Sequence, residues 1–291
     1  MKKKPKGEKS KMKNTRQANY DKTFGALPLQ ADVRDYKLNL KPIAGFQFPE
    51  SFELPHPPIK NQGSVGSCVA HAVVETAEYF HKLQIGVYEI LSTGFVYGNR
   101  RNSLNKKSGM YVREALRNMC KYGTPYYGFF WENVEVPQAI ELFEKRYDDI
   151  LEYALPNRFS TYFRLFSDDD IKLALMNYGP VVFAMNWHDN NYVDEHGILR
   201  VDTKSKKVGG HCMMIYGWNK DGWLIQNSWG THWGNQGCAV LPYSTKKTEA
   251  WGITDEIIDG SEEIKKPYNT TFLRWLAKVF NWIINLFRRK K

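Results

Sequence analysis

Cysteine is scarce in this chain of 291 residues, and the few cysteines are widely separated. No two of the four stand at the Cys-x-x-Cys spacing, and their positions are Cys68, Cys120, Cys212 and Cys238. This spacing argues against a disulfide scaffold and against a structural zinc site. It is typical of a protein from a reducing compartment.

A long apolar run is also missing from the N-terminal region. Residues 17–30 are mixed and polar, so a secretory signal peptide is not expected and a cytoplasmic location is predicted. Residues 1–16 carry eight cations and one anion, which leaves the rest of the chain to supply only +3 of the formal net charge of +10. The body is nearly neutral, so a nucleic-acid-binding face is not expected.

Apolar residues are plentiful elsewhere and show two kinds of pattern. Hydrophobic residues make up 42% of the chain, which is enough for a sizeable core. Helical spacing predicts helices that begin near Cys68, over residues 110–122 and after Ser167. Short apolar runs bounded by turn residues predict strands at 181–186, 211–217, 222–227 and 237–241. Helices early and strands late predict an α+β fold with a helical lobe and a sheet lobe.

Three short segments combine residues suited to nucleophilic catalysis. They are residues 61–68 (Asn-Gln-Gly-Ser-Val-Gly-Ser-Cys), 209–211 (Gly-Gly-His) and 226–230 (Gln-Asn-Ser-Trp-Gly). A thiol needs a positive environment to become a thiolate, and a helix N-terminus at Cys68, with Gly66-Ser67 as turn and cap, supplies one. A histidine can share its proton, an amide oxygen can orient that histidine, and a glutamine amide can donate to an oxyanion.

In order and local sequence these segments resemble the papain family of cysteine peptidases. Gln62 lies six residues before Cys68, His211 lies 143 residues after it, and Asn227 follows His211 by sixteen. The resemblance implies a two-lobe papain-like fold, with an N-terminal helical lobe and a C-terminal antiparallel β-barrel-like lobe. It also implies that Cys68 attacks a peptide carbonyl, that His211 protonates the leaving amine and that Asn227 orients His211.

Further positions are assigned by the same resemblance. Gln62 and the Cys68 backbone N–H are expected to stabilise the oxyanion, and Trp229 to shield the bond between His211 and Asn227. Gly109 matches a glycine that pairs with substrate backbone. The position three before the nucleophile, often cysteine, is Val65, and only 67 residues precede Cys68. These departures resemble a bacterial or phage branch with a short N-terminal extension.

The domain prediction follows from these observations. Residues 1–22 are expected to form a disordered basic arm and residues 23–48 an extended, propeptide-like segment, whose position across the cleft as a built-in inhibitor is a hypothesis. Residues 49–260 are expected to form the catalytic domain. Residues 261–291 are expected to hold a linker and a basic amphipathic helix.

The predicted function is that of a thiol-dependent endopeptidase acting on polypeptides without cofactor or metal. Two alternatives stay open: a catalytically inactive papain-fold protein that binds peptides, and a thiol acyltransferase or amidase that shares the acyl-enzyme step. The sequence argues against the inactive form, because no catalytic position is visibly replaced, and the Asn-Ser-Trp-Gly run favours the peptidase.

The C-terminal segment has a pattern of its own. In residues 272–287 the polar members form one helical stripe at Arg274, Lys278, Asn281 and Asn285, and four cations follow at 288–291. Sixteen residues with two charges are too few to span a bilayer. A helix that lies in an anionic membrane interface fits the pattern, with residues 1–16 as a second basic element, and packing on the protein or a partner is the alternative.

Overall fold

The computed structural model describes residues 24–30, 32, 35, 46–100, 109–127 and 150–255. These residues belong to one compact unit, residues 1–256. A second unit, residues 257–291, lies outside the described residues, as do the predicted basic arm of residues 1–22 and the predicted C-terminal helix. The α+β class predicted from the sequence is confirmed.

The first lobe contains, among the described residues, the helices α1 (Cys68–Ile85), α2 (Thr93–Gly98) and α3 (Val112–Tyr122). Every residue of α1 from Cys68 to His81 is buried, so α1 is a central helix rather than a surface one. It ends at Gly86, whose φ of 84° is the left-handed conformation that suits glycine at a helix C-terminus. The helix predicted over residues 110–122 begins two residues later than expected.

Helix α4 (Asp168–Asn177) begins with a reciprocal cap that fixes its first turn. The Asp170 N–H donates to Ser167 Oγ at 3.0 Å, and the Ser167 N–H donates to Asp170 Oδ2 at 3.0 Å. Three aspartates in the first turn also complement the positive end of the helix dipole. The helix predicted after Ser167 is therefore confirmed together with its start.

The second lobe is built on an antiparallel sheet in the order β2-β9-β3-β6-β7-β8, with the short β1 paired to β6 and a separate β4–β5 ribbon. The strands are β1 (Phe52–Glu53), β2 (Thr161–Leu165), β3 (Val181–His188), β4 (Tyr192–Val193), β5 (Leu199–Arg200), β6 (Lys207–Asn219), β7 (Gly222–Gln226), β8 (Cys238–Leu241) and β9 (Lys247–Thr254). Within the described residues the edge strands β2 and β8 do not pair, so the sheet is open and the barrel-like closure expected for this lobe is absent.

Two cores correspond to the two lobes. One is centred on α1 and α3 and includes Phe80 and Leu116. The other lies under the sheet and includes Trp187, Trp218 and Trp223. Helix α1 packs against β6, the strand that carries His211, so the seam between the cores runs past the N-terminus of α1. Among the described residues, no helix is long and apolar enough to cross a membrane.

Candidate active site

Cys68 is the first residue of α1 and is fully buried. Ser67 makes no side-chain cap, contrary to the prediction, because its hydroxyl lies 3.3 Å from His71 Nδ1 instead. Burial raises the pKa of the Cys68 thiol, and backbone hydrogen bonds around the sulfur, the largest from Cys212, act in the opposite direction. Because Cys212 follows His211 in β6, the sulfur lies against the strand that carries the histidine.

The His211 side chain is held by Asn227, which stands directly after β7. His211 Nε2 and Asn227 Oδ1 are 2.8 Å apart, and the same oxygen accepts from the Ser228 backbone N–H at 2.8 Å. An amide oxygen only accepts, so Nε2 carries the proton and Nδ1 is the ring nitrogen available to share a proton with a thiol. The pairing of β6 with β7 brings the two residues together.

Trp229 covers this hydrogen bond. Its ring stacks on the His211 ring with centroids 4.4 Å apart and planes at 29°. The Trp233 ring packs edge-on against the Trp229 ring with centroids 5.8 Å apart. His211 and Asn227 are both completely buried. The hydrogen bond therefore lies in a low-dielectric environment, where it is stronger than in water.

Gln62 is bound to the same loop that supplies Asn227. Its backbone N–H donates to the Ser228 carbonyl at 2.8 Å, and its Oε1 accepts from Ser228 Oγ at 2.8 Å. Its Nε2 donates to the Val65 carbonyl at 2.8 Å, which fixes the amide orientation. The loop, the Gln62 amide and the start of α1 are thus joined, and three separate stretches of chain bring Gln62, Cys68, His211 and Asn227 to one seam.

A short N-terminal stretch crosses this seam and contacts both of its walls. The Ala26 N–H donates to the Gly210 carbonyl at 2.9 Å, next to His211. On the other wall the Met110 N–H donates to the Gly25 carbonyl at 2.7 Å, and the Leu27 N–H donates to the Met110 carbonyl at 3.1 Å. Gly25 also makes a backbone hydrogen bond to the Cys68 sulfur. We call residues 24–30, with Asp32 and Asp35, the cleft segment.

The contact is so close that only glycine fits at several positions. A Cβ on Gly25 would lie 1.8 Å from the Gly66 carbonyl oxygen, and one on Gly109 would lie 1.9 Å from the Gly25 carbonyl oxygen. A Cβ on Gly210 would lie 2.2 Å from the Ala26 carbonyl oxygen. Gly109, predicted to pair with substrate backbone, therefore lies where the backbone of the cleft segment passes.

Two features of the cleft segment were not predicted by sequence reasoning. Phe24 packs edge-on against His211 and Trp229, with ring centroids 6.0 Å away in both cases, and stacks on Trp187 at 6.2 Å. Asp35 forms a bidentate ion pair with Arg113 of α3, at 2.6 and 2.5 Å. No local motif marks these residues, because each contact joins positions more than 75 residues apart.

The other three thiols either lie away from the candidate catalytic residues or are buried. All four cysteines are free, and burial raises the pKa of Cys120 to about 12. The Cys212 side chain leaves β6 on the opposite face from His211 and packs in the helical core. Within the described ranges, no group of three or more His, Cys, Asp or Glu residues is placed to hold a metal ion.

Known proteins with similar sequences are cysteine proteases. The chain is 28% identical to a cysteine protease of Blomia tropicalis over 194 residues, which are 62% of this chain and 55% of that protein. It is 27% identical to cathepsin S of Bos taurus over 191 residues, 62% of this chain and 54% of that protein. The match to these two relatives spans little more than half of their length.

Solved structures show the same fold. Xylellain, a cysteine protease from Xylella fastidiosa, superposes with a TM-score of 0.70 at 23% identity, covering 81% of this chain and 97% of that one. A Carica candamarcensis cysteine protease, solved in complex with E-64, gives a TM-score of 0.54 at 19% identity over 72% and 99% of the two chains.

The sequence profile of the papain family cysteine proteases matches residues 49–259, well over half of the chain. This range contains Gln62, Cys68, His211 and Asn227, and it nearly coincides with the domain predicted at 49–260. The placement of the chain in a bacterial or phage branch stays a prediction. The chain belongs to the papain family of cysteine proteases.

Proposed function

We propose that this protein is a thiol-dependent endopeptidase whose nucleophile is Cys68 and whose acid–base partner is His211. The observation that carries the proposal is the 2.8 Å bond between His211 Nε2 and Asn227 Oδ1. It fixes the tautomer and leaves Nδ1 to share a proton with the thiol in the proposed mechanism, and the backbone of the next residue, Cys212, reaches the sulfur. Neither the hydrogen bond between His211 and Asn227 nor the backbone contact to the Cys68 sulfur is explained by packing alone, since both bury polar groups.

Acyl transfer then proceeds by two proton transfers. The Cys68 thiolate attacks the scissile carbonyl carbon, and His211 gives its Nδ1 proton to the leaving nitrogen as the C–N bond breaks. Water, activated by the now neutral His211, hydrolyses the thioester and regenerates the pair. The Cys68 N–H and the Gln62 amide group donate to the oxyanion. Gln62 Nε2 carries two hydrogens, and the Val65 carbonyl accepts one of them.

The cleft segment acts, in our proposal, as a built-in inhibitor of this site. It hydrogen-bonds to Gly210, next to His211, and to Met110, next to Gly109, which is predicted to pair with substrate backbone, so it occupies the path of a substrate to Cys68. Burial raises the pKa of the Cys68 thiol and opposes thiolate formation, while backbone hydrogen bonds, including those from Gly25 and Ala26, act in the opposite direction. The ion pair of Asp35 with Arg113 adds an anchor on α3. Gly25→Val in the full-length chain is therefore the form in which to assay the enzyme.

Active-site alkylation and product analysis separate the peptidase from its two alternatives. In the Gly25→Val chain, iodoacetamide is expected to alkylate Cys68 at pH 6 about tenfold or more faster than free cysteine, because a paired thiolate persists at that pH. Incubation with a peptide substrate and a millimolar amino-acid amide is expected to give mostly acid rather than amide products by mass spectrometry. Alkylation no faster than free cysteine would indicate the inactive peptide-binding protein. Predominant aminolysis would indicate the acyltransferase.

We also propose that the protein is cytoplasmic and peripheral to a membrane, held by residues 272–291 with help from the basic residues 1–16. The support is the sequence alone: one polar helical stripe, an otherwise apolar surface and four terminal cations. On anionic vesicles, Phe280→Glu is expected to reduce flotation of the full-length chain about tenfold or more, since it puts a charge on the apolar face that the sequence pattern predicts. Asn281→Glu, on the polar stripe, is the matched control. Equal losses of flotation in the two variants would contradict a helix that lies in the membrane interface.

A further inference from the structure

An aromatic enclosure adjoins the catalytic histidine and is occupied in this structure by Phe24. Trp187 and Trp229 meet edge-on with centroids 4.8 Å apart, and Trp187 packs edge-on against His211 at 5.2 Å. Phe24 lies against all three rings. Gly209 leaves room for Phe24 in the enclosure, because a Cβ on residue 209 would lie 2.4 Å from Phe24 Cβ. Apart from His211, the rings facing Phe24 are apolar.

Trp187 costs the fold something at this position. It is completely buried at the end of β3, and its indole Nε1 has no hydrogen-bond partner among the described residues. An indole N–H is a donor only, and a buried donor without an acceptor is destabilising. A phenylalanine would fill the sheet core without that penalty. Trp223, in the same core, also has an indole N–H without a partner among the described residues, so what distinguishes Trp187 is the surface that it offers to Phe24, His211 and Trp229.

The enclosure adjoins the proton donor of the proposed reaction. Gly25 and Ala26 pass Cys68, and Met110 hydrogen-bonds to both Gly25 and Leu27. Phe24, the residue before Gly25, contacts the ring of His211, the group that protonates the leaving amine in the proposed mechanism. A substrate side chain in the enclosure would thus lie next to the leaving nitrogen.

We propose that this enclosure is a leaving-side subsite for aromatic residues and that Trp187 determines its specificity, an inference that rests on the proposed peptidase function. The substrates are polypeptides with Phe, Tyr or Trp directly after the scissile bond. Aspartate and glutamate are disfavoured there, because an apolar enclosure cannot replace the water that a carboxylate loses. The cleft segment exploits the subsite by placing Phe24 in it.

Substrate ratios test the subsite directly. In the full-length Gly25→Val chain, peptides with one fixed acyl side and either Phe or Ala after the scissile bond are compared by kcat/KM. The Phe/Ala ratio is expected to be about 10 or more, and Trp187→Ala is expected to lower it about fivefold or more. The ratio does not depend on the fraction of folded enzyme, so lost stability cannot imitate the effect. Trp187→Phe is expected to retain most of the preference. Trp223→Phe is expected to leave the ratio unchanged; Trp223 is another buried tryptophan whose indole has no partner within the described part of the chain.

A double-mutant cycle tests the same contact without turnover. In the chain that keeps Gly25, Phe24→Ala is expected to speed alkylation of Cys68 about threefold to tenfold, because it removes an aromatic contact that holds the cleft segment in place. In the Trp187→Ala background the same change is expected to have little further effect. Coupling in this cycle with no peptide cleaved would support the contact between Phe24 and Trp187 but would reject the peptidase and, with it, the substrate subsite. Cleavage with equal ratios for Phe and Ala, or additive effects in the cycle, would overturn the subsite.

Discussion

Peptide hydrolysis by the full-length Gly25→Val chain is expected to fall on the order of 10⁵-fold when Cys68 is also replaced by alanine. The proposed mechanism has no other group that can form the acyl intermediate, so only the oxyanion donors and substrate binding remain. Because Cys68 is buried among apolar residues, alanine fits in its place and the fold is expected to persist. The measurement is kcat/KM on a peptide library, with circular dichroism to verify folding.

Cys120→Ala is the matched control, since Cys120 is a free, partly buried thiol outside the seam. It is expected to leave kcat/KM unchanged. Asn227→Ala is expected to cost about 10²-fold, less than loss of the nucleophile, because His211 keeps its ring but loses its orienting bond. Hydrolysis that survives Cys68→Ala at a tenth of its rate would exclude Cys68 as nucleophile.

The pH dependence follows from the same pair. Hydrolysis requires Cys68 deprotonated and His211 protonated, so kcat/KM is expected to be bell-shaped, with both limbs belonging to the coupled pair. In the chain that keeps Gly25, burial holds the pKa of Cys68 above its ordinary value. The thiolate then forms only at higher pH, and alkylation is expected to accelerate at a more alkaline pH than in the Gly25→Val chain.

Local patterns pointed to the candidate catalytic residues because each lies at a point where local structure is strongly marked. Cys68 follows a glycine-serine turn at the start of a long apolar helix, His211 stands in the apolar run that forms β6, and Asn227 directly follows the run that forms β7. Their order and spacing carried the family resemblance. The hydrogen bond between His211 and Asn227 then follows from the pairing of two adjacent strands.

The rest depends on contacts that local patterns do not record. Strands β2 and β9 were not predicted. They lie nearly 90 residues apart in the sequence, and each is a strand because it pairs with the other. The cleft segment is similar: Phe24-Gly25-Ala26 has no periodicity, and glycine carries no side chain to mark its role. Trp187 reads as an ordinary core residue of an apolar strand until Phe24 is placed against it.

The inhibitory role that we propose for the cleft segment predicts that Gly25→Val raises peptidase activity. A side chain at residue 25 would overlap the Gly66 carbonyl oxygen, which is backbone and cannot rotate away. The segment must then leave Gly210 and Met110. We expect kcat/KM to rise about tenfold or more, since a tethered competitor acts at an effective concentration in the millimolar range. Alkylation at pH 7 is expected to accelerate as well, because the segment no longer covers the Cys68 sulfur and the burial that raises the pKa of the thiol is reduced.

Pro28→Ala is the control within the same segment, because Pro28 is exposed and its ring is not needed for the contacts of residues 24–27. Asp35→Asn should activate less than Gly25→Val, since it removes the anchor on Arg113 but leaves the backbone hydrogen bonds in the cleft. The order in which the three variants raise activity matters as much as the magnitude of each effect. A segment that merely packs on the protein would give Gly25→Val lower stability without higher turnover. A segment that competes with substrate converts the same steric overlap into a gain of activity.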